Sequence, residues 1–242
     1  EPDPTLSETG FRQAVHTAKY FKRVLQDQNM PDKFKPGRLV TSMMTRTLHT
    51  SKPLIVKLNI VCKKLRISNE ISIYTNSNLH EEGGIFKGPR RNRKPEHEYT
   101  IDHGLNATAM RKIIPGLKFA QEEIPESGWW RGGLESSEEV VSRAESVKEW
   151  MWSYVENLEA EKNDHPATIL VSHGLFYDRL LKSLLDLNPI DETKYFLTAN
   201  CAFWLLQLDF LPPSQKRPNG QRRVAVLSSN EVSHVPTRDR TG

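Results

Sequence analysis

Three short stretches of the sequence carry side chains whose types could do chemistry together. The stretches run from Ser42 to Arg46, from Leu79 to Gly84 and from Val171 to Gly174. They offer the guanidinium of Arg46, the carboxyl group of Glu81 and the imidazole of His173. A guanidinium matches phosphate oxygens in pairs, a carboxylic acid can protonate a leaving alkoxide, and a histidine can hold phosphate oxygens or act as a nucleophile. This combination is typical of phosphoryl transfer.

Each stretch follows a segment that the hydrophobic pattern predicts to be a strand. Strands are predicted at residues 38–42, 71–75, 168–172, 201–209 and 223–228, and helices at 7–27, 45–59, 106–113, 137–162 and 175–186. Strands alternating with helices predict an α/β fold, a three-layer α/β/α sandwich with a mostly parallel central sheet. Ligands of such sheets lie outside the carboxyl ends of the strands, where Arg46, Glu81 and His173 stand.

Local signals refine this prediction at four places. Ser136-x-x-Glu139 is a capping box, which predicts the start of the longest helix. Pro53 predicts a kink or an early end of the second helix, because proline lacks the N–H that a helix needs. Residues 76–98 are polar, basic and glycine-containing, which predicts a long surface loop. Residues 238–242 are predicted to be a frayed tail.

Composition narrows the class of protein. The 242 residues contain no apolar run of membrane-spanning length, so we expect no membrane partner. Cys62 and Cys201 are the only cysteines, which favours a reducing, cytoplasmic setting over a disulfide framework. The net charge of +4 slightly favours anionic ligands and does not predict a nucleic-acid partner.

Several other phosphate and metal chemistries leave signatures that the sequence does not carry. The glycines from Gly83 to Gly88 are followed by Pro89 and Arg90 instead of the lysine and hydroxyl residue of a phosphate-binding P-loop. Neither cysteine has the arginine of a cysteine phosphatase six positions on, and no His/Cys cluster has zinc spacing. We therefore expect no metal and no cofactor.

Six segments in chain order resemble the histidine phosphatase superfamily, also called the phosphoglycerate mutase-like family. They are residues 3–14, 41–50, 79–81, 128–144, 171–174 and 230–234. Three of them contain the residues singled out above: Thr41-Ser42-x-x-x-Arg46, Leu79-x-Glu81 and Val171-Ser172-His173-Gly174. The resemblance runs nearly end to end, so we expect one histidine phosphatase-like domain over residues 1–242.

The resemblance implies a metal-independent phosphomonoester phosphatase that acts on a small phosphorylated substrate through a phosphohistidine intermediate. Arg46 and His173 would bind the phosphoryl group. Glu81 would donate a proton to the leaving oxygen and then take one from the attacking water. Glu82 is the nearest rival for that role, because the glycines after it depart slightly from the family spacing.

The family's nucleophile is a histidine in an Arg-His-Gly motif at the end of a strand that precedes the segment matching residues 3–14. The sequence carries no such motif: His16 falls within the first predicted helix, and Asp102-His103-Gly104 lacks the arginine. We expect the chain to be N-terminally incomplete, without the usual first strand of the sheet. We expect it alone to be inactive and reduced in stability, whereas the parent protein would be an enzyme.

Alternative functions follow from the same residues. A phosphoglycerate mutase-type phosphotransferase would use the same pocket, and a non-catalytic protein of this fold would bind phosphorylated ligands through Arg46 and His173. The basic run 87–94 could be a solvated loop or a lid that attracts multiply charged substrates. It lacks the interleaved aromatic residues that stack on the bases of single-stranded nucleic acid.

Overall fold

The structure is a computed structural model. It describes residues 2–65, 70–87, 100–120, 123–160, 167–211, 213–215 and 220–241. The described helices are α1 (Glu8–Gln26), α2 (Thr45–Leu65), α3 (Ala107–Ile113), α4 (Ser137–Ala160) and α5 (Gly174–Leu184). The described strands are β1 (Pro36–Thr41), β2 (Ser72–Thr75), β3 (Phe86–Lys87), β4 (Thr100–Ile101), β5 (Lys118–Phe119), β6 (Ala167–Val171), β7 (Phe203–Leu211) and β8 (Gln221–Glu231).

A parallel sheet forms the middle of the fold. Its described strands lie in the order β5-β2-β1-β6, and every pairing between them is parallel. In the register of this sheet, Leu39 of β1 pairs with Ile73 of β2 on one side and with Ile169 of β6 on the other. The predicted α/β fold with a mostly parallel sheet is confirmed.

Side chains alternate between the two faces of the sheet and build two hydrophobic layers, as the two-residue period of a strand requires. Leu39, Ile73 and Ile169 pack with apolar residues of α1, α2 and α3. Val40, Tyr74 and Leu170 point the other way and pack with apolar residues of α4 and α5. Helices therefore cover both faces, which is the predicted three-layer arrangement.

The antiparallel ribbon formed by β7 and β8 also packs between helices of the two outer layers. Leu206 of β7 packs in the same layer as Leu170 of β6, beneath α4 and α5, and Phe203 contacts Tyr20 of α1 on the opposite face. Among the described residues, however, β6 pairs only with β1, and β7 pairs only with β8. All residues of β6 and β7 remain partly exposed, whereas Leu39 and Val40 of β1 are fully buried.

Helix α2 continues through Pro53 to Leu65, so the predicted early end at residue 59 is wrong. Tertiary packing outweighs the cost of the proline, because the turns after it bury Leu54, Leu58 and Val61. No helix in the described part of the chain combines the length and apolar character needed to cross a membrane.

The capping box at the start of α4 is confirmed. The N–H of Glu139 donates to the hydroxyl of Ser136 at 3.2 Å, and the N–H of Ser136 donates to the Glu139 carboxylate at 2.7 Å. Both bonds satisfy N–H groups that a helix start would otherwise leave without a partner.

Two predictions about irregular segments need correction. The segment predicted as a surface loop from residue 76 begins with a short 3₁₀ turn, Ser77–Leu79, and buries both Leu79 and His80. The predicted frayed tail is held in place, because Asp239 is buried and accepts a hydrogen bond from Arg12 at 2.8 Å. Residues 88–94 of the basic run lie outside the described residues.

We expect the isolated chain to unfold at low temperature and to self-associate, because β6 and β7 each have one edge without a partner strand among the described residues. The measurement is a thermal melt by circular dichroism at several protein concentrations, together with sedimentation velocity. The expected result is a midpoint at or below about 45 °C, the lower end of the range for mesophilic domains. A cooperative melt of a monomer above about 65 °C would contradict the expectation.

Candidate active site

Hydrogen bonds beyond the strand ends bring three loops to the carboxyl edge of the sheet. The N–H of Ser42, just after β1, donates to the carbonyl of Val171 at the end of β6 at 2.9 Å. The N–H of Asn76, just after β2, donates to the carbonyl of Thr41 at 2.9 Å. These two bonds extend the parallel ladder, so the segments carrying Arg46, Glu81 and His173 begin at one edge.

His173 lies at this edge as the N-cap residue of α5, and its side chain makes no capping hydrogen bond to the helix. It is 7% exposed, and its Nε2 atom lies 3.1 Å from the hydroxyl of Ser42. Burial holds the pKa of His173 well below its ordinary value, and the positive charges of Arg46 and Arg143 lower it further. The imidazole is therefore neutral at physiological pH.

Arg46 lies in the first turn of α2, close enough to His173 to influence its pKa. The start of this helix is capped by Asp3, whose carboxylate accepts from the N–H of Thr45 at 3.0 Å and from its hydroxyl at 2.7 Å. Burial raises the pKa of Asp3 above its ordinary value, against the opposing effects of Thr45 and Arg46. The helix start that carries Arg46 is thus bound by the carboxyl group of Asp3.

Glu81 is attached to the same helix end as His173. Its Oε1 atom accepts hydrogen bonds from the N–H of Phe176 at 3.1 Å and from the N–H of Glu82 at 3.0 Å. Phe176 is in the first turn of α5, where N–H groups have no partner within the helix. The carboxylate of Glu81 supplies the missing acceptor, which fixes its position relative to His173.

Glu82, the rival of Glu81, points to a different partner. Its carboxylate forms an ion pair with Arg179, at 3.0 Å from Nε and 3.3 Å from Nη2. Arg179 also donates to the carbonyl of Pro189 at 2.9 Å. The two carboxylates therefore differ in what they contact on α5: Glu81 binds the backbone N–H of Phe176 in its first turn, whereas Glu82 binds the side chain of Arg179 farther along the same helix.

Gly84, in the loop after Glu82, occupies a position where no side chain would fit. Gly84 has a φ of +78°, and its N–H donates to the carbonyl of Glu81 at 3.1 Å, which closes a tight turn. A Cβ atom at Gly84 would lie 2.2 Å from the ring of Trp130. The buried Trp129 and Trp130 thus form the wall against which the Glu81 loop is packed.

His80 is a further buried histidine, to which the sequence assigned no role. Its Nδ1 atom lies 2.7 Å from the carbonyl of Ser77, and its ring centroid lies 4.7 Å from that of Trp130. Burial, followed by the positive charge of Arg143, lowers the pKa of His80 to about 3. Ser42, which faces His173, was likewise part of a motif without an assigned role, although its position at a strand end is a signal for a site residue.

The other histidines considered in the sequence have partners of their own. His16 faces Asp239 at 3.7 Å on α1, and His234 lies 3.1 Å from the hydroxyl of Thr17. His103 is in a loop, and its Nδ1 atom lies 3.0 Å from the carbonyl of Trp130. In the described part of the chain, no group of three or more His, Cys, Asp or Glu side chains is arranged to hold a metal ion.

Comparison with solved structures shows the fold. The chain is similar to a protein described as mycobacterial hydrolase 2, with a TM-score of 0.52 and 20% identity over 94% of this chain and 80% of that one. It is also similar to mycobacterial hydrolase 1, with a TM-score of 0.50 and 19% identity over 95% and 88%. At this level of identity the similarity shows that the chain shares the fold of these two structures. No protein-family model and no curated protein matches the chain.

We expect acid to destabilise the protein partly through His80. Its folded pKa of about 3 lies below the ordinary value of 6.5, so between these pH values only the unfolded chain binds the proton. The contribution of neutral His80 to the free energy of unfolding is fully present above pH 6.5. It is lost as the pH falls toward 3, by at most about 1.4 kcal/mol per pH unit.

The substitution His80→Asn should flatten this slope, because asparagine can still donate to the Ser77 carbonyl but does not titrate. The measurement is urea denaturation of both proteins between pH 4 and pH 7. An unchanged slope in the variant would show that His80 does not bind the proton that separates the two states.

Proposed function

We propose that residues 1–242 form the phosphate-binding and proton-transfer part of a phosphomonoesterase that uses a phosphohistidine intermediate and no metal ion. One observation carries the proposal: the helix that His173 caps also binds the carboxylate of Glu81 through the N–H of Phe176. One rigid helix thereby joins the side chain that would bind phosphate to the side chain that would donate a proton. The similar solved structures are described as hydrolases, which is the matching reaction class.

In this proposal, Arg46 and His173 bind the phosphoryl group. Arg46 presents a planar fork that pairs with two phosphate oxygens. His173 is neutral because it is buried near positive charges. A bound phosphate dianion reverses that effect and raises the pKa of His173, so the imidazole becomes a charged donor when substrate is present.

Glu81 is the proposed general acid and base. Both backbone N–H donors bind Oε1, and Oε2, which takes part in neither bond, is the proposed oxygen for proton transfer. Glu81 would protonate the leaving oxygen and then accept a proton from the water that cleaves the phosphohistidine. Glu82 is not proposed for this step, since its carboxylate is paired with Arg179.

The nucleophilic histidine is proposed to come from the Arg-His-Gly motif of a segment preceding Glu1. Two observations support this placement. Asp3 binds Thr45, which precedes Arg46 in the sequence. The start of the described chain therefore lies near a proposed phosphate-binding residue. Among the described residues, β6 pairs only with β1 and β7 pairs only with β8, so each has one side without a partner strand. Without that segment, we expect residues 1–242 to bind phosphate without hydrolysing esters, which is also the behaviour of a non-catalytic phosphate-binding protein.

Inorganic phosphate should raise the pKa of His173 from its depressed value toward 6.5, which can be followed by NMR of the imidazole signals at increasing pH. The substitution Arg46→Met should weaken phosphate binding by about tenfold or more, because charge-assisted hydrogen bonds contribute roughly 1.5–3 kcal/mol. Arg222→Met, which removes a partly exposed arginine on β8, is the matched control and should bind phosphate as the unsubstituted chain does. If Arg46→Met binds phosphate as tightly as the unsubstituted chain, Arg46 is not a phosphate-binding residue.

Glu81→Gln should impair hydrolysis of an alkyl ester, glycerol 2-phosphate, by about 10²–10⁴-fold in the protein that includes the preceding segment. The loss on p-nitrophenyl phosphate should be much smaller, because its leaving anion needs little protonation. Steady-state phosphate release from both esters is the measurement.

Glu82→Gln is the comparison variant and should retain activity on both esters within a few-fold. If Glu82→Gln shows the selective loss and Glu81→Gln does not, the two roles must be exchanged. If the unsubstituted full protein hydrolyses neither ester yet binds phosphate, the non-catalytic function replaces the phosphatase.

A further inference from the structure

A buried ion pair lies directly behind the Glu81 loop. Arg143 of α4 donates to Glu135 through Nε and Nη2, each at 2.6 Å, and both side chains are 7% exposed. Arg143 is one turn from Val140 and next to Ala144 on the core-facing side of the helix. Burying two charges has a large desolvation cost, so a pair of this kind is weak evidence for a purely stabilising role.

The ion pair holds the loop on both sides of Glu81. Before Glu81, Nη1 of Arg143 donates to the carbonyl of Asn78 at 2.8 Å and to that of His80 at 2.9 Å. After it, the N–H of Gly83 donates to the carboxylate of Glu135 at 3.3 Å. The residues that flank Glu81 and Glu82 are thus bound to one rigid unit.

The same guanidinium also contacts the helix that receives Glu81. Its carbon lies 4.0 Å from the centroid of the Phe176 ring, and the N–H of Phe176 is the donor to Glu81 Oε1. Arg143 therefore touches the loop that carries the carboxylate and the residue that binds it. We infer that Arg143, anchored by Glu135, is a positioning residue that sets the place of Glu81 relative to His173. This inference rests on the role of Glu81 in the proposed function.

Lysine is the informative replacement for Arg143. It keeps the positive charge that lowers the pKa of His80 and His173, and it loses the planar fork that binds Glu135 and two carbonyls at once. Glu135→Gln removes the carboxylate that the fork binds and leaves the arginine in place. The two variants separate the geometric role of the pair from its electrostatic effect on the histidines.

The activity test compares two esters in the protein that includes the preceding segment. Arg143→Lys should reduce kcat for glycerol 2-phosphate by about 10²-fold, as expected for a displaced catalytic group, and kcat for p-nitrophenyl phosphate by less than about tenfold. Glu135→Gln should show the same selectivity. Equal losses on the two esters would overturn the inference, because a merely structural role lowers the fraction of folded enzyme for both.

Arg222→Lys is the matched control. Arg222 pairs with Glu149 at 2.8 Å and Glu156 at 3.1 Å, and these residues lie on the same helix as Arg143, about 9 Å or more along its axis. Its conservative variant should leave both kcat values unchanged. A selective loss in this control would mean that any disturbance of α4 affects the Glu81 loop, which would also overturn the specific role of Arg143.

Amide hydrogen exchange gives a readout that does not depend on catalysis. The N–H of Phe176 precedes the first hydrogen bond within α5, which Tyr177 donates to the carbonyl of His173 at 2.8 Å, so its protection comes from Glu81. Arg143→Lys should speed exchange at Phe176 and Gly83 at least tenfold and leave Val40 in the sheet unchanged. Unchanged exchange at Phe176 overturns the inference, whereas absence of hydrolysis by the unsubstituted protein overturns only the proposed function.

Discussion

The hydrogen bond from the N–H of Phe176 to the carboxylate of Glu81 joins the two halves of the candidate site. It connects the loop after β2 to the helix after β6, and the residue that caps this helix is His173. The separation between the carboxylate and the imidazole is consequently set by the end of a helix and not by two independent loops. Helices hold functional groups more rigidly than loops do, which suits a reaction that depends on proton position.

Burial and nearby positive charge lower the pKa of the two buried histidines of the candidate site. Arg46 and Arg143 both lower the pKa of His173, and Arg143 lowers that of His80. The N-termini of α2 and α5 already bind the carboxyl groups of Asp3 and Glu81. In the proposed function, the guanidinium of Arg46 is therefore the main positive charge for a phosphoryl group.

Strand β6 links the architecture of the sheet to the candidate site. This strand ends at Val171, just before His173, and its outer edge has no partner among the described residues. A parallel strand paired with that edge would end beside His173, because parallel strands share their carboxyl edge. Completing the middle layer would therefore also bring a new residue to the candidate site.

The sequence by itself determined the alternation of strands and helices, the helix starts, and the segments that carry Arg46, Glu81 and His173. These features depend on local periodicity, caps and motif spacing, which act over a few residues. Pro53 shows the limit of such local rules, because it predicted a kink or an early end and the helix continues to Leu65. The same limit applies to Asp239, which looked like part of a tail and is held by Arg12 from the other end of the chain.

Only the tertiary structure showed that Glu81 and Glu82, which are neighbours in sequence with the same side chain, have different partners. Glu81 binds the backbone N–H of Phe176 and Glu82 binds the side chain of Arg179, two residues of α5 that lie 95 and 97 positions farther along the chain. The contacts of Arg143 with the carbonyls around Glu81 were hidden for the same reason. Contacts between remote segments depend on how the layers pack, and no local pattern of residues encodes them.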